Sequence, residues 1–262
     1  MAKIPKDPFK VEKLRDDLAK ESKLNVLKKT YSKIYYPEIK DNNSPSFWDN
    51  LNMRSHVGEK ESPMAHDKLK LIGDFIKKKD GKFLNVGCGA GDLEHHVFGK
   101  GGKPRVDWTG IDISEKSVQK CKKEFKNGNF KKGDVRNMEF PENYFDFVIV
   151  LEVLEHIQPS ETFKAYKNLT KVLKRNGTLI ITIPLNEGLE EMVRRGKNPN
   201  AHVRVYTSNL IKAEIELAGF KIEKAKFIWA FHRFYRLKSF IVRYLLRGYR
   251  DPNGIIVFAK LK

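Results

Sequence analysis

The stretch Phe83-Leu84-Asn85-Val86-Gly87-Cys88-Gly89-Ala90-Gly91-Asp92 constrains this chain more than any other. A short apolar strand runs into glycines 87, 89 and 91, and a helical pattern begins directly after them. Glycine lets backbone approach a ligand closely and take positive φ, and the start of a helix presents free N–H groups to an anionic or polar group. A tight turn between a strand and a helix has the same composition, so the loop gains functional meaning only from what surrounds it.

What surrounds it is regular. Short apolar strands are legible at 82–87, 106–112, 129–133, 145–151 and 177–184, with helical stretches at 91–98, 114–126 and 160–174. Strands alternating with helices imply parallel βαβ units and right-handed crossovers. A helix near 207–218 ends at Gly219, followed by strands at 221–228 and 254–260. Asp112 ends the second strand in Gly110-Ile111-Asp112-Ile113-Ser114, where a carboxylate can accept both ribose hydroxyls of a nucleoside. Asp134 ends the third strand in Lys132-Gly133-Asp134-Val135, placed to meet an adenine amino group. The fourth strand ends at Leu151 on the same carboxyl edge. The glycine spacing is G-x-G-x-G, with Asp92 where a dinucleotide fingerprint has its third glycine. That argues against NAD and for a ligand without pyrophosphate, and S-adenosylmethionine (SAM) fits. An NAD-dependent dehydrogenase is the alternative if the loop is misread.

The motifs LNVGCGAGDLE, GIDISEKSV, GDVRNMEF, FDFVIVLEVLEHI and VLKRNGTLIITIP stand in that order between residues 84 and 184. This region resembles class I SAM-dependent methyltransferases, specifically the type 11 branch with the ubiquinone and menaquinone biosynthesis enzymes. The resemblance extends more loosely through His202-Val203-Arg204-Val205-Tyr206-Thr207 and Ala218-Gly219-Phe220. It implies an α/β Rossmann-like three-layer sandwich whose seven-stranded, mostly parallel sheet has an antiparallel last strand. It also implies SAM over Gly87–Gly91, Asp112 on the ribose and Asp134 near adenine. The candidate cofactor contacts are Asn85, Gly87, Cys88, Gly89, Gly91 and Asp92 in the loop. At the strand ends they are Asp112, Ile113, Asp134, Val135 and Leu151.

Glu152-Val153-Leu154-Glu155-His156 follows the fourth strand, on the side where a methyl acceptor must sit. A helical turn would put Glu152, Glu155 and His156 on one face. Two carboxylates and an imidazole suit a divalent cation such as Mg or Mn, with His202 as fourth ligand. The pattern resembles the metal site of small-RNA 2′-O-methyltransferases and of some quinone O-methyltransferases. Without metal, His156 or His202 is the natural general base, since imidazole titrates near neutral pH, and Glu155 completes the candidate catalytic set. The bland reading is a pocket-shaping, helix-capping L-E-H stretch.

The chain carries 51 Lys and Arg against 33 Asp and Glu, a net charge of +18, which favours acidic partners: nucleic acid, an anionic membrane surface or an anionic small substrate. Phe231–Arg247 reads as a basic amphipathic helix, with Phe234, Leu237, Ile241, Tyr244 and Leu245 on one face. Apolar positions at helical spacing over 9–36 predict another helix, a loop follows to about Pro45, and Ser62-Pro63 opens a helix to about Lys79. Residues 1–80 are therefore expected to form a helical cap, and 81–262 the SAM-binding domain with a helical insertion at 231–247, cap and insertion covering the site as a lid. Cys88 and Cys121 have neither a disulfide framework nor metal-ligand spacing. No signal-peptide core or stretch of ~20 apolar residues is present. The expectation is a cytoplasmic protein, at most peripherally membrane-associated. The leading function is methyl transfer from SAM to a small-molecule or lipid-linked acceptor, with oxygen favoured. The alternative is an RNA methyltransferase with metal-assisted 2′-O-methylation, although no RNA-binding module is recognisable. A scaffold that binds SAM without turnover is the third class.

Overall fold

The computed structural model describes residues 43–55, 62–99, 102, 105–198, 200–231, 233–246 and 248–262. The elements run α1 (Pro45–Ser55), α2 (Pro63–Ile76), β1 (Lys82–Val86), α3 (Asp92–Phe98), β2 (Asp107–Asp112), α4 (Glu115–Glu124), β3 (Asn129–Lys132) and β4 (Phe145–Leu151). They continue through 3₁₀ turns at Leu154–His156 and Pro159–Glu161 to α5 (Thr162–Val172), β5 (Leu173–Pro184), α6 (Leu189–Arg194), α7 (Ser208–Leu217) and β6 (Phe220–Ile228). Last come α8 (Tyr235–Phe240), a π turn (Ile241–Leu245) and β7 (Gly254–Leu261).

The seven strands form one sheet in the order β3-β2-β1-β4-β5-β7-β6. β1 through β5 pair in parallel, whereas β7 runs antiparallel to both β5 and β6. The central strands are nearly continuous apolar runs because both faces are covered. Leu84, Val86, Val148, Val150, Leu179 and Ile181 face Leu169 of α5 and Ile211 of α7. The alternate positions Phe83, Ile149 and Ile180 face Ile72 of α2, Leu93 of α3 and Val118 of α4. The expected three layers follow from this period of two.

Helix starts follow their caps. The Ser62 hydroxyl accepts from Ala65 N at 3.2 Å with Pro63 at the first helical position, and Ser114 does the same for Ser117 N at 3.1 Å. A second Ser-Pro pair, Ser44-Pro45, opens α1 with Ser44 Oγ accepting from Phe47 N at 3.2 Å. This helix follows the loop expected up to Pro45, and neither it nor α6 is among the elements the sequence predicts. The helix expected over 9–36 lies outside the described residues. The insertion expected as one helix over 231–247 is instead broken into α8 and the π turn. Its apolar side chains Phe234, Leu237, Tyr244 and Leu245 face outward rather than onto the sheet.

Candidate active site

The strand order reverses between β1 and β4, and there, beyond the carboxyl ends of the strands, a cleft opens. This is where open α/β sheets bind ligands. The cleft holds about 750 Å³ counting its mouth, and is lined by the turns after β1, β2, β3 and β4 together with Asn43 and Trp48. Gly87 has φ 73°, and a Cβ there would stand 2.4 Å from Val153 Cγ2, so no larger residue fits. Gly89, at φ 52°, has open space where its Cβ would project. The loop is thus closed against the protein at one glycine and open to the cleft at the other.

Asp112 borders the cleft from the end of β2. Its two carboxylate oxygens accept from Gly89 N and Ser114 N, each at 2.8 Å, which fixes the loop against the strand end. A carboxylate has about four lone-pair sites, so both oxygens keep capacity for ribose hydroxyls. Burial raises its carboxyl above the ordinary range, against the pull of the two N–H groups. Asp134 is engaged by Arg136, whose Nε lies 3.0 Å from both carboxylate oxygens and whose Nη1 reaches Glu161 Oε2 at 2.7 Å. Burial alone would raise the Asp134 carboxyl, but the Arg136 hydrogen bonds outweigh it and hold it low. Arg136 also lines the cleft. Sequence reasoning did not single it out, because a cation two residues after an acid is ordinary in so basic a chain.

Of the predicted cofactor contacts, the structure brings Gly87, Gly89, Asp112, Ile113, Asp134 and Val135 together around the cleft. Asn85, Cys88, Gly91, Asp92 and Leu151 do not line it. Asn85 is buried beneath the loop and donates to Glu94 Oε1 at 2.9 Å, Cys88 sits in the apolar cluster under β1, and Leu151 packs against that cluster. Gly91 and Asp92 begin α3.

The acid–histidine group differs from its sequence pattern. Glu152 has φ 52°, lies outside the 3₁₀ turn Leu154–His156, and pairs with Lys68 of α2 at 2.9 Å. The turn begins too late to put Glu152 on the face of Glu155 and His156, so the four-residue set contracts. Glu155, His156 and His202 offer ligand-type atoms all within 4.8 Å of one another. Glu155 is 0% exposed and neither carboxylate oxygen has a hydrogen-bond partner among the described residues. Burial first, and then the charge of Glu152, push its carboxyl well above the ordinary range. His202 Nδ1 lies 2.6 Å from Glu187 Oε2, and His156 Nδ1 lies 3.5 Å from Ala201 O. Of the three, His156 borders the cleft. Its ring meets His202 at 4.8 Å and the edge of Trp48 at 4.7 Å between centroids. Trp48 is held there by α1, whose Asp49 accepts from Ser114 Oγ at 2.6 Å and from Lys116 N at 3.1 Å. No pattern around Trp48 in the sequence distinguishes it from a core aromatic.

With this geometry in view, residues 77–232 match a protein family described as a methyltransferase domain, more than half of the chain. The chain belongs to the class I SAM-dependent methyltransferases. Among curated proteins it is 29% identical over 116 residues to the phosphoethanolamine N-methyltransferase of Plasmodium falciparum, covering 43% of this chain and 42% of that one. It is 31% identical over 114 residues to the demethylmenaquinone methyltransferase of Thermotoga maritima, covering 44% and 48%. The chain therefore matches less than half the length of these relatives. Solved structures share the fold. The N-methyltransferase NodS of Bradyrhizobium japonicum, in complex with S-adenosyl-L-homocysteine, aligns with a TM-score of 0.58 at 14% identity over 82% of this chain and 97% of that one. The [4+2]-cyclase SpnF aligns at 0.54 with 18% identity over 79% and 84%. Membership in this methyltransferase family makes SAM the cofactor, and the residues present fit it: an open glycine, an aspartate at the β2 end and a polar pair at the β3 end.

Proposed function

We propose that this methyltransferase transfers the SAM methyl group to an oxygen of a small-molecule or lipid-linked acceptor. The observation that carries the reading is the His156 imidazole at the cleft, backed by His202 and Glu187 and set beside a nucleoside-sized loop and two strand-end aspartates. Bound SAM supplies a methyl already activated by its sulfonium sulfur. The Gly87–Gly89 backbone and Asp112 would hold the nucleoside, and Asp134, steadied by Arg136, would face the adenine edge. Trp48 shields the acceptor side from water. His156 accepts the acceptor's hydroxyl proton while the oxygen–carbon bond forms and the carbon–sulfur bond breaks. Ala201 O, 3.5 Å from His156 Nδ1, accepts from the imidazolium that results. Alignment of the reacting atoms can contribute up to about 7–11 kcal/mol in well-oriented systems. Of the expected cap, α1 acts as a lid on the cleft, a role supported by Trp48 at the cleft and by the anchoring of Asp49 to Ser114 and Lys116.

The orphaned Glu155 carboxylate favours a second reading of the same cluster, in which Glu155, His156 and His202 hold a divalent cation. Bound there, the cation would lower the pKa of a coordinated hydroxyl, and Glu187 would orient His202 as carboxylates do behind metal-bound histidines.

The deciding experiment is transfer of labelled methyl from SAM into a fractionated host extract, with and without chelator. Label in the organic or small-molecule fraction as a base-stable ether or base-labile ester supports the oxygen reading. Label on an amine overturns it in favour of nitrogen transfer, and label in RNA establishes the alternative. Loss of turnover with chelator, restored by Mn²⁺ and absent in Glu155→Gln, supports the cation; unchanged turnover removes it.

A further inference from the structure

Among the described residues, every large apolar side chain that is more than about a third exposed falls in one stretch. Phe234 is 73% exposed, Leu237 59%, Phe240 52%, Tyr244 53%, Leu245 68%, Leu246 49% and Tyr249 80%. Scattered exposed apolar residues need no explanation, but a contiguous group of this size marks an interaction surface. From Arg233 to Arg250 the sequence has six arginines and lysines and no acid.

The stretch is built to face outward. Phe234 is a non-glycine residue at φ 54°, a conformation that costs a bulky residue about 1–3 kcal/mol. The root of the segment is pinned. Trp229 Nε1 donates to Arg250 O at 3.0 Å, Arg243 Nη2 donates to Phe227 O at 3.3 Å, and Arg243 and Arg250 lie over the rings of Trp229 and Phe231 at 5.6 and 4.6 Å. Cations therefore sit at the base of the segment, while apolar side chains project beyond them, Phe240 and Tyr244 with their rings in contact at 5.0 Å. No described helix is long and apolar enough to cross a membrane.

From this layering we propose that residues 234–249 seat the protein on an anionic lipid bilayer. The apolar tips enter the boundary between headgroups and acyl chains, and the arginines meet the lipid phosphates. Charge decides among occupants. A second copy of a chain with net charge +18 would bring like charge to the patch. Residues 1–42, with eleven Lys and Arg against seven Asp and Glu, do not complement it either. The leucines at 237, 245 and 246 suit acyl chains better than the stacking faces of nucleobases. The surface is mechanically close to the cleft. Tyr235 sits against Asp67 of α2, and the next residue, Lys68, holds Glu152 at the cleft. The inference stands independently of the acceptor's identity.

The test is co-sedimentation of the full chain with vesicles of phosphatidylcholine alone or with a third phosphatidylglycerol. Binding to the anionic vesicles is expected, at least tenfold weaker on pure phosphatidylcholine. A further tenfold loss or more is expected for Leu237→Ser/Leu245→Ser, since burying a leucine contributes roughly a factor of ten. Both positions are exposed, so S-adenosyl-L-homocysteine binding by the variant should be unchanged and reports that it is folded. A Leu245→Trp variant should show blue-shifted emission quenched by brominated lipid. Three outcomes would overturn the proposal: no partition onto either vesicle, partition indifferent to the double substitution, or a dimer in solution that the double substitution dissolves.

Discussion

Gly89 N and Ser114 N each lie 2.8 Å from an Asp112 oxygen, so that one carboxylate closes the glycine loop and borders the cleft. Asp112→Ala orphans both N–H groups and removes the ribose acceptor. Charge-assisted hydrogen bonds contribute about 1.5–3 kcal/mol each, so affinity for S-adenosyl-L-homocysteine should fall by a factor of roughly ten to several hundred, measured calorimetrically. Undiminished affinity would place the ribose elsewhere. Glu94 makes a second residue-level case, with no tie to the ligand. It is fully buried, accepts from Asn85 Nδ2 at 2.9 Å and Trp108 Nε1 at 3.0 Å, and burial pushes its carboxyl from 4.5 to about 7. The folded chain then binds this proton more tightly than the unfolded one. Stability falls as pH rises from 4.5 toward 7, because the unfolded chain ionises first, and levels off above 7. The loss amounts to about 3 kcal/mol. Glu94→Gln keeps the acceptor without the titration, so its melting temperature should gain on the native chain between pH 5 and pH 8. A gap that stays constant across that range would assign the titration to another group.

At the scale of elements, the two segments that carry the histidines are held together by one buried side chain. Arg204 Nε and Nη2 donate to Leu154 O at 3.2 and 2.8 Å, its Nη1 to Glu214 Oε1 at 3.1 Å, and Tyr206 Oη donates to Glu214 Oε2 at 3.1 Å. Val203 N adds a bond to Glu155 O at 3.0 Å. The 3₁₀ turn of His156 and the loop of His202 are thereby fixed to α7. Removing one partner of a buried ion pair costs about 3–5 kcal/mol, whereas replacing both by apolar groups is often near neutral. Arg204→Met should therefore lower the urea midpoint strongly, and Arg204→Met/Glu214→Leu should recover most of it while leaving Leu154 O unsatisfied. A double variant as unstable as the single one would mean that the bond to Leu154 O, not the charge pair, dominates. Sequence reasoning saw none of this clasp, because its bonded partners lie 8 to 50 residues apart and their pairing is created by the fold. What it read correctly had local causes. Val148, Ile149 and Val150 announce a strand covered on both faces, and Ser62-Pro63 announces a helix start. Its errors also have local causes. The spacing of Glu152 to His156 predicts a regular helical turn, but positive φ at Glu152 delays the turn and hands that carboxylate to Lys68. The 231–247 periodicity is real, yet periodicity gives a face without saying whether protein or solvent receives it.

For the whole molecule the dominant quantity is charge. A net +18 spread over one domain repels itself in the compact state more than in the expanded chain. Near 0.01 M salt the Debye length is about 30 Å, so most of the surface feels this repulsion, and at 1 M it is about 3 Å. The melting temperature should therefore rise by several degrees between 0.02 and 0.5 M NaCl. For a chain of this size each kilocalorie per mole moves the midpoint by about 2–4 °C. The surface ion pairs oppose the trend only weakly, because exposed pairs such as Lys70–Asp74 are screened by solvent and give up side-chain freedom to stay in contact. The same salt acts in the opposite direction on vesicle binding, where screening removes the attraction between the arginines and lipid phosphates. The two measurements thus separate the general charge excess from the local surface at 234–249. Stability that rises with salt while lipid affinity falls fits an excess of positive charge tolerated for binding. A melting temperature that is flat or falls over the same range would show that the acidic residues already neutralise the lysines locally, leaving the 233–250 stretch to account for any affinity for anions.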